Sequence, residues 1–208
     1  MITVECIDEL ADYAGIKPQI AAITERAMQG ELDFTEALRA RVKLLAGLDA
    51  RVIETCLYER VRLMPGAQTL VKTMSAWGAH SVLVSGGFMH FATPVAAQIG
   101  FAMAAANVLG VADGSLTGGV VGDIVDASAK RKLLLSTASA RNIPHELVIA
   151  VGDGANDIPM IEAAIQGGGL GVSYHAKPAA EVASNFAIRH NDLTALLYAQ
   201  GIRKSDWV

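Results

Sequence analysis

Apolar residues recur at helical spacing through the first part of the chain, from residue 5 to about residue 62. The first run predicts a helix with one buried face: Ile7, Leu10, Ala11 and Ala14. Asp33 stands just before a later run and is a good N-cap, because its side chain can accept a hydrogen bond from a free backbone N–H of the first turn. It predicts a helix over Phe34–Leu45. We therefore expect residues 1–65 to form a helical cap segment.

The pattern changes after Pro65-Gly66, where short apolar runs alternate with helix-like segments. The runs are rich in Val, Ile and Leu and nearly continuous, as in strands buried on both faces. They lie at Ser81–Ser85, Leu147–Gly152, Leu170–Ser173 and Phe186–Arg189. The glycine-rich stretch Asp113–Val125 is typical of a β-hairpin. The alternation predicts an α/β fold with a doubly wound parallel sheet, whose core is residues 66–208.

Composition excludes some classes of function. Hydrophobic residues make up 52% of the chain, which is enough to bury a sizeable core. The net charge is −4, and no block of positive charge is present that would favour nucleic acid. Thr73–Ala112 has no charged residue apart from histidine, but Ser, Gly and Pro interrupt it, so we expect a buried strand and helix and no membrane span. Cys6 and Cys56 lack metal-ligand spacing, and the acidic N-terminal region does not fit a signal peptide. A cytoplasmic protein is expected, of undetermined oligomeric state.

Parallel sheets bind ligands at the carboxyl ends of their strands. Three segments follow predicted strands there: Ser85-Gly86-Gly87, Asp153-Gly154-Ala155-Asn156-Asp157 and Tyr174-His175. Asp153 and Asp157 bring two carboxylates to one strand end, and hard oxygen ligands favour Mg²⁺. Asp and Asn are also ordinary helix caps, so a simple turn between strand and helix is the alternative interpretation of this segment alone. None of the five histidines is assigned to catalysis.

Two further segments could hold a phosphate. A hydroxyl and bare backbone N–H groups at the start of a helix form a phosphate site, which is one interpretation of Ser85 and Gly86; a plain glycine turn is the other. Lys130 lies in a predicted helix, Ala129–Arg141, and is either a surface cation or the lysine that neutralises a phosphoryl group. No P-loop is present, and no Gly-x-Gly-x-x-Gly follows a predicted strand, which argues against a dinucleotide-binding protein.

Arg41 is a cation on an apolar helix face. On a helical wheel with Phe34 at zero, Leu38 falls at roughly 40° and Arg41 at roughly 340°. Arg39 falls on the other side, at roughly 140°. Because a buried cation is costly unless it is paired, Arg41 needs an anion, either a structural carboxylate or the carboxylate of a substrate.

Together these segments resemble motifs of the haloacid-dehalogenase phosphatases. Val84-Ser85-Gly86-Gly87-Phe88, Lys130 and Val151-Gly152-Asp153-Gly154-Ala155-Asn156-Asp157 are similar to motifs two, three and four of that class, in its phosphoserine phosphatase branch. The resemblance extends into the helical segment through Val4-Glu5-Cys6-Ile7-Asp8-Glu9, Arg26-Ala27-Met28 and Leu38-Arg39-Ala40-Arg41-Val42. It covers almost the whole chain and implies a Mg²⁺-dependent enzyme that hydrolyses L-phosphoserine, a small-molecule substrate, in serine biosynthesis.

The resemblance also implies roles for individual residues. Glu5 is expected to contact the substrate ammonium and Arg41 the substrate carboxylate. Three residues are expected to bind phosphate: Ser85, Gly86 and Asn156. Lys130 is expected to pair with the phosphoryl group and the nucleophile. Asp153 is expected to ligate Mg²⁺, and Asp157 to support the metal site without touching the metal.

One motif of the haloacid-dehalogenase phosphatases has no counterpart in this chain. Their reaction begins at an Asp-x-Asp-x-Thr stretch after the first strand, where the first Asp is the nucleophile and the second the general acid and base. The chain begins with Met1-Ile2-Thr3, where that stretch would just have ended. We expect the nucleophile upstream of this chain and the first core strand missing, which would make the product poorly stable. The alternatives are a catalytically inactive phosphate-binding fragment and a related small-molecule phosphatase or phosphotransferase.

Overall fold

The computed structural model describes all 208 residues, Met1–Val208. They form two compact units, of which the first contains Met1–Ile124 and Val208, and the second Val125–Trp207. The predicted boundary between a cap segment and an α/β core, at residues 65 and 66, lies inside the first unit and stays a prediction.

The first unit opens with helices, as the apolar spacing predicted. They are α1 (Cys6–Tyr13), α2 (Lys17–Met28), α3 (Phe34–Lys43) and α4 (Arg51–Glu59). The N-cap prediction for Asp33 is confirmed, because its side chain accepts the Glu36 N–H at 2.8 Å. The Glu36 carboxylate in turn accepts the Asp33 N–H at 3.0 Å, which completes a capping box.

Helices α1 and α4 pack against each other through apolar side chains and a charged clamp. Leu10 and Cys56 are fully buried there. Beyond α4, the Arg60 guanidinium bonds the carboxylates of Glu9 at 2.7 Å and Asp12 at 2.6 Å. These contacts fix the position of α1 and of Glu5, the residue that precedes it.

The rest of the first unit is mixed α/β. Its elements are α5 (Ala67–Ala76), β1 (Val82–Phe88), α6 (Met89–Ile99), β2 (Met103–Ala112) and β3 (Ser115–Val121). Strand β1 pairs parallel with β2, and β2 pairs antiparallel with β3. The predicted hairpin exists, but it begins earlier than Asp113, because β2 forms its first strand. Sequence reasoning missed β2, since its Met-Ala-Ala-Ala start has a helical propensity that sheet pairing overrides.

The second unit alternates helices and strands throughout. Its elements are α7 (Ala127–Ala140), β4 (Ile149–Gly152), α8 (Ile158–Gln166), β5 (Leu170–Tyr174), α9 (Pro178–Ala183), β6 (Phe186–Ile188) and α10 (Ala195–Ala199). The strands are parallel, in the order β4-β5-β6. The three strands predicted here are confirmed; β4 starts later than expected because His145–Leu147 form a 3-10 turn.

The strands thus form two three-stranded sheets, one in each unit. Strand β1 is one of the two outer strands of the first sheet, and β4 is one of the two outer strands of the second. The α/β class with parallel strands is confirmed. The expectation that the complete fold has one further strand stays a prediction. No helix is both long enough and apolar enough to cross a membrane.

Candidate active site

A buried ion pair forms the centre of the site in the second unit. Lys130, in the first turns of α7, is only 4% exposed, and its ammonium donates to Asp157 Oδ1 at 2.7 Å. Asp126 positions this lysine by capping α7, since its carboxylate accepts the Ala129 N–H at 2.8 Å. The other oxygen of Asp157 accepts the backbone N–H groups of Asp153 at 3.0 Å and Gly154 at 3.2 Å. Asp157 therefore joins the lysine to the loop that follows β4.

Gly152 is required by this arrangement. A Cβ atom at that position would lie 2.2 Å from the Cβ of Asp157, so any side chain would push the aspartate away. The glycine at the end of β4 allows the loop to fold back over the strand end. The loop then turns through a 3-10 segment, Ala155–Asp157, into α8.

Asp153 presents its carboxylate at the surface of this loop. Partial burial raises the pKa of its carboxyl group, the neighbouring Asp157 carboxylate raises it further, and the Lys130 ammonium opposes the rise. An anion held close to a second anion is stabilised by a cation. Half-buried Asn156 places an amide in the same loop.

Magnesium binding can be tested against these donors. The chain contains no group of three His, Cys, Asp or Glu residues that could hold a metal ion. Mg²⁺ is commonly bound through one or two carboxylates, with water and phosphate in its other positions. The Asp153 carboxylate fits that role, whereas both oxygens of Asp157 are already engaged. The residues present therefore fit a magnesium ion held by one carboxylate of this chain.

The Ser85-Gly86-Gly87 segment differs from the expectation. We expected the strand to end at Ser85 and a helix to follow, but β1 continues to Phe88 and α6 begins at Met89. The pairing register with β2 shifts after Val84, which marks a bulge. Within it the Gly87 N–H donates to Ser85 Oγ at 3.0 Å. The serine oxygen acts as an acceptor there, so its O–H can be directed towards a ligand.

Asn107 fixes the same bulge from β2 and was missed by the sequence reasoning. Its side chain is 1% exposed and donates through Nδ2 to the Gly86 carbonyl at 2.8 Å. A buried amide in an apolar strand was the available signal, but β2 itself had not been predicted. The bond connects β2 to the bulged part of β1.

Arg41 and Glu5 lie near each other in the helical part of the first unit. The Arg41 guanidinium donates through Nε to the Ala37 carbonyl at 3.2 Å and takes part in none of the salt bridges of the chain. Burial lowers its pKa, while the nearby carboxylates of Asp8 and Glu5 raise it. Glu5 is the N-cap residue of α1, is exposed, and makes no side-chain cap bond. A half-buried cation and an exposed anion are therefore both available to a ligand.

The structure thus groups the predicted residues in two sets. In the second unit it brings together Lys130, Asp153, Asn156 and Asp157. In the first unit Glu5 lies near Arg41, and the bulge contains Ser85 and Gly86.

Comparison with known proteins identifies the family of this chain. The family model of haloacid dehalogenase-like hydrolases matches residues 6–162. The chain belongs to the haloacid dehalogenase-like hydrolase family. This confirms the resemblance stated from the motifs. The match contains the serine-glycine bulge, the buried lysine and the aspartate loop of this hydrolase.

Two curated relatives of this hydrolase carry the same functional name. The chain is 43% identical over 206 residues to the phosphoserine phosphatase of Streptomyces coelicolor, covering 99% of this chain and 49% of the relative. It is 45% identical to the phosphoserine phosphatase of Albidiferax ferrireducens, covering 95% of this chain and 84% of the relative. The chain therefore spans about half the length of the first relative and most of the second.

A solved structure shows the same fold. The phospho-aspartyl intermediate analogue of a phosphoserine phosphatase matches with a TM-score of 0.86 and 35% identity. The match covers 95% of this chain and 92% of that structure.

Proposed function

We propose that this hydrolase removes phosphate from L-phosphoserine, giving L-serine and inorganic phosphate in serine biosynthesis. The observation that carries the proposal is that the Arg41 guanidinium is half-buried and has no ion-pair partner. It lies near the carboxylate of Glu5, which makes no bond to the start of its helix. An amino acid presents one carboxylate and one ammonium, which are complementary to these two groups. The relatives' shared name supports the same substrate.

The phosphate end of the substrate is assigned to the remaining residues. Ser85 donates its O–H, and Gly86 and Asn156 contribute polar groups to the phosphate oxygens. Mg²⁺, held by Asp153, supplies positive charge to the phosphoryl oxygens when it is bound. Lys130 adds positive charge, and Asp157 fixes the lysine by the 2.7 Å bond described above. Charge stabilisation of this kind is the main contribution that a protein makes to phosphoryl transfer.

The attacking group is proposed to be an aspartate outside these 208 residues. The solved neighbour is a phospho-aspartyl intermediate analogue, which supports an aspartyl route. Strands β1 and β4 each have one outer edge, where a further parallel strand can pair. In this proposal the phosphoryl group passes from the serine oxygen to the aspartate, and water then releases phosphate. A second acid protonates the leaving serine oxygen.

A cytoplasmic location is part of the proposal. Cys6 and Cys56 are both free and buried. Free thiols are what a reducing compartment maintains, which supports the assignment.

Phosphate release tests the proposal. L-phosphoserine and Mg²⁺ are given to this chain and to a chain extended upstream through the expected Asp-x-Asp-x-Thr stretch. We expect turnover from the extended chain alone. Turnover by the 208-residue chain would contradict the proposed nucleophile. If phosphoserine or Mg²⁺ binds to both chains and neither turns over, the inactive phosphate-binding alternative replaces the proposal.

A further inference from the structure

His175 has an unusual backbone conformation directly after β5. Its φ is +46°, in the left-handed region that residues with a Cβ atom rarely adopt. Such a residue stores strain, and it persists where surrounding contacts hold it, often next to a functional site. His175 lies at the carboxyl end of a parallel strand, where such sheets bind ligands, and the proposed reaction gives it no role.

The ring of His175 is held from two sides. It stacks on the Tyr174 ring, with 4.2 Å between centroids and 8° between the planes. Its Nε2 atom lies 2.9 Å from the Asn191 carbonyl oxygen, so that nitrogen carries a hydrogen and donates. The backbone N–H of His175 donates to the Ile188 carbonyl at 2.9 Å. These contacts fix the left-handed turn although His175 is exposed.

The turn has a direct consequence for the Asp153 loop. Two residues after His175, the Lys177 N–H donates to the Asp153 carbonyl at 2.9 Å. Lys177 then serves as the N-cap residue of α9. His175, with its left-handed backbone, lies between the end of β5 and the start of α9, so its conformation helps to set the course of the chain to Lys177. The Asp153 backbone is thus held by Asp157 at its N–H and by Lys177 at its carbonyl.

We propose that His175 is a positioning residue, which fixes the metal-binding carboxylate of Asp153 through the Lys177 N–H. This rests on the proposed function, in which Asp153 holds Mg²⁺. Partners that orient metal ligands typically change metal affinity by about 10-fold to 100-fold when they are removed. Because His175 acts through a backbone bond, we expect its effect at the lower end of that range.

Direct Mg²⁺ titration by calorimetry tests the proposal on this chain and on the extended chain. His175→Val removes the ring and disfavours the left-handed conformation, so we expect Mg²⁺ binding about tenfold weaker. His175→Asn tolerates the conformation but loses the stacked ring, so an intermediate loss of about threefold is expected. His190→Val, at an exposed histidine of the same unit, is the matched control and should bind as the wild type does.

Activity supplies a second readout. With saturating Mg²⁺, the extended His175→Val chain should keep the wild-type KM for phosphoserine. The residues proposed to bind the amino-acid end of the substrate, Glu5 and Arg41, belong to the first unit, whereas His175 belongs to the second. If His175→Val does not fold in a thermal melt, His175→Asn decides, and wild-type Mg²⁺ affinity in that variant overturns the proposal.

The Asp153→Asn variant tests the magnesium assignment separately from the role of His175. If it abolishes Mg²⁺ binding while His175→Val binds within twofold of the wild type, only the role of His175 is overturned. If Asp153→Asn binds Mg²⁺ normally, the metal assignment fails and the role of His175 fails with it.

Discussion

The two units treat their buried cations in opposite ways. In the second unit the Lys130 ammonium is 4% exposed and is paired with Asp157 at 2.7 Å. In the first unit the Arg41 guanidinium is half-buried, bonds only a helix carbonyl and has no ion-pair partner. The difference indicates different roles. Lys130 and Asp157 balance each other's charge without a ligand, whereas Arg41 lacks an anionic partner, which the carboxylate of a substrate can supply.

The largest expected effect is at the satisfied pair. Asp157→Ala leaves the Lys130 ammonium buried without a partner and releases the loop N–H groups, so we expect a loss of about 3–5 kcal/mol in the free energy of unfolding. Urea denaturation measures it. Glu162→Ala, at an exposed carboxylate of α8, is the control and should change stability little. Equal stabilities of the two variants would show that the pair is not part of the framework.

A steric change at Gly152 should have the next largest effect. Gly152→Ala places a Cβ atom 2.2 Å from that of Asp157, and we expect a cost of about 1–3 kcal/mol with weakened Mg²⁺ binding. Gly154→Ala is the matched control in the same loop, since its Cβ atom would meet only the flexible Asn156 amide, at 3.1 Å. Urea denaturation compares the two. A smaller cost at Gly152 than at Gly154 would contradict the geometry.

Replacing Arg41 should affect stability much less than replacing Asp157. Removing an unpaired half-buried cation relieves a desolvation cost, so Arg41→Ala should change the free energy of unfolding by less than about 1 kcal/mol. Urea denaturation beside Arg39→Ala, on the exposed face of the same helix, checks this. A loss comparable to that of Asp157→Ala would assign Arg41 to the framework.

The smallest effect on the folded protein is expected at the two cysteines, whose thiols are buried in the protonated, uncharged form. Burial raises the pKa of Cys6 to about 12 and that of Cys56 to about 11, from 9.0. At pH 8 both should resist iodoacetamide in the folded protein and react after unfolding, as mass spectrometry can show.

The same shifts predict how stability changes with pH. The folded state keeps protons that the unfolded state releases, so the contribution is complete below pH 9 and is lost as pH rises through 11 and 12. Urea denaturation across this range checks the sign. Rapid alkylation of native protein at pH 8 would contradict the burial of these thiols.

Much of the fold and the site could be predicted from local sequence. The apolar spacing and the capping residue gave α3 and placed Arg41 on its apolar face. The segment from Asp153 to Asp157 was recognised because its carboxylates and glycines follow one apolar strand. Such features lie within a few residues of each other, so spacing alone reveals them.

Features that depend on distant residues were not predictable. The Lys130–Asp157 pair joins residues 27 positions apart, and the Asn107–Gly86 bond joins residues 21 apart. Strand β2 was missed because its pairing with β1 and β3 outweighs the helical propensity of its alanines. Tertiary packing decides each of these, and a single sequence does not display it.

Substrate discrimination by Arg41 tests the central claim most directly. The extended chain is assayed with L-phosphoserine and with O-phosphoethanolamine, which has the ammonium and phosphate but no carboxylate. Loss of a charged hydrogen-bond pair costs about 1.5–3 kcal/mol, so Arg41→Ala should lower kcat/KM for phosphoserine by about 10-fold to 150-fold and leave that for phosphoethanolamine nearly unchanged. Arg39→Ala should alter neither. An equal fall for both substrates, or an unchanged preference for phosphoserine, would contradict the account.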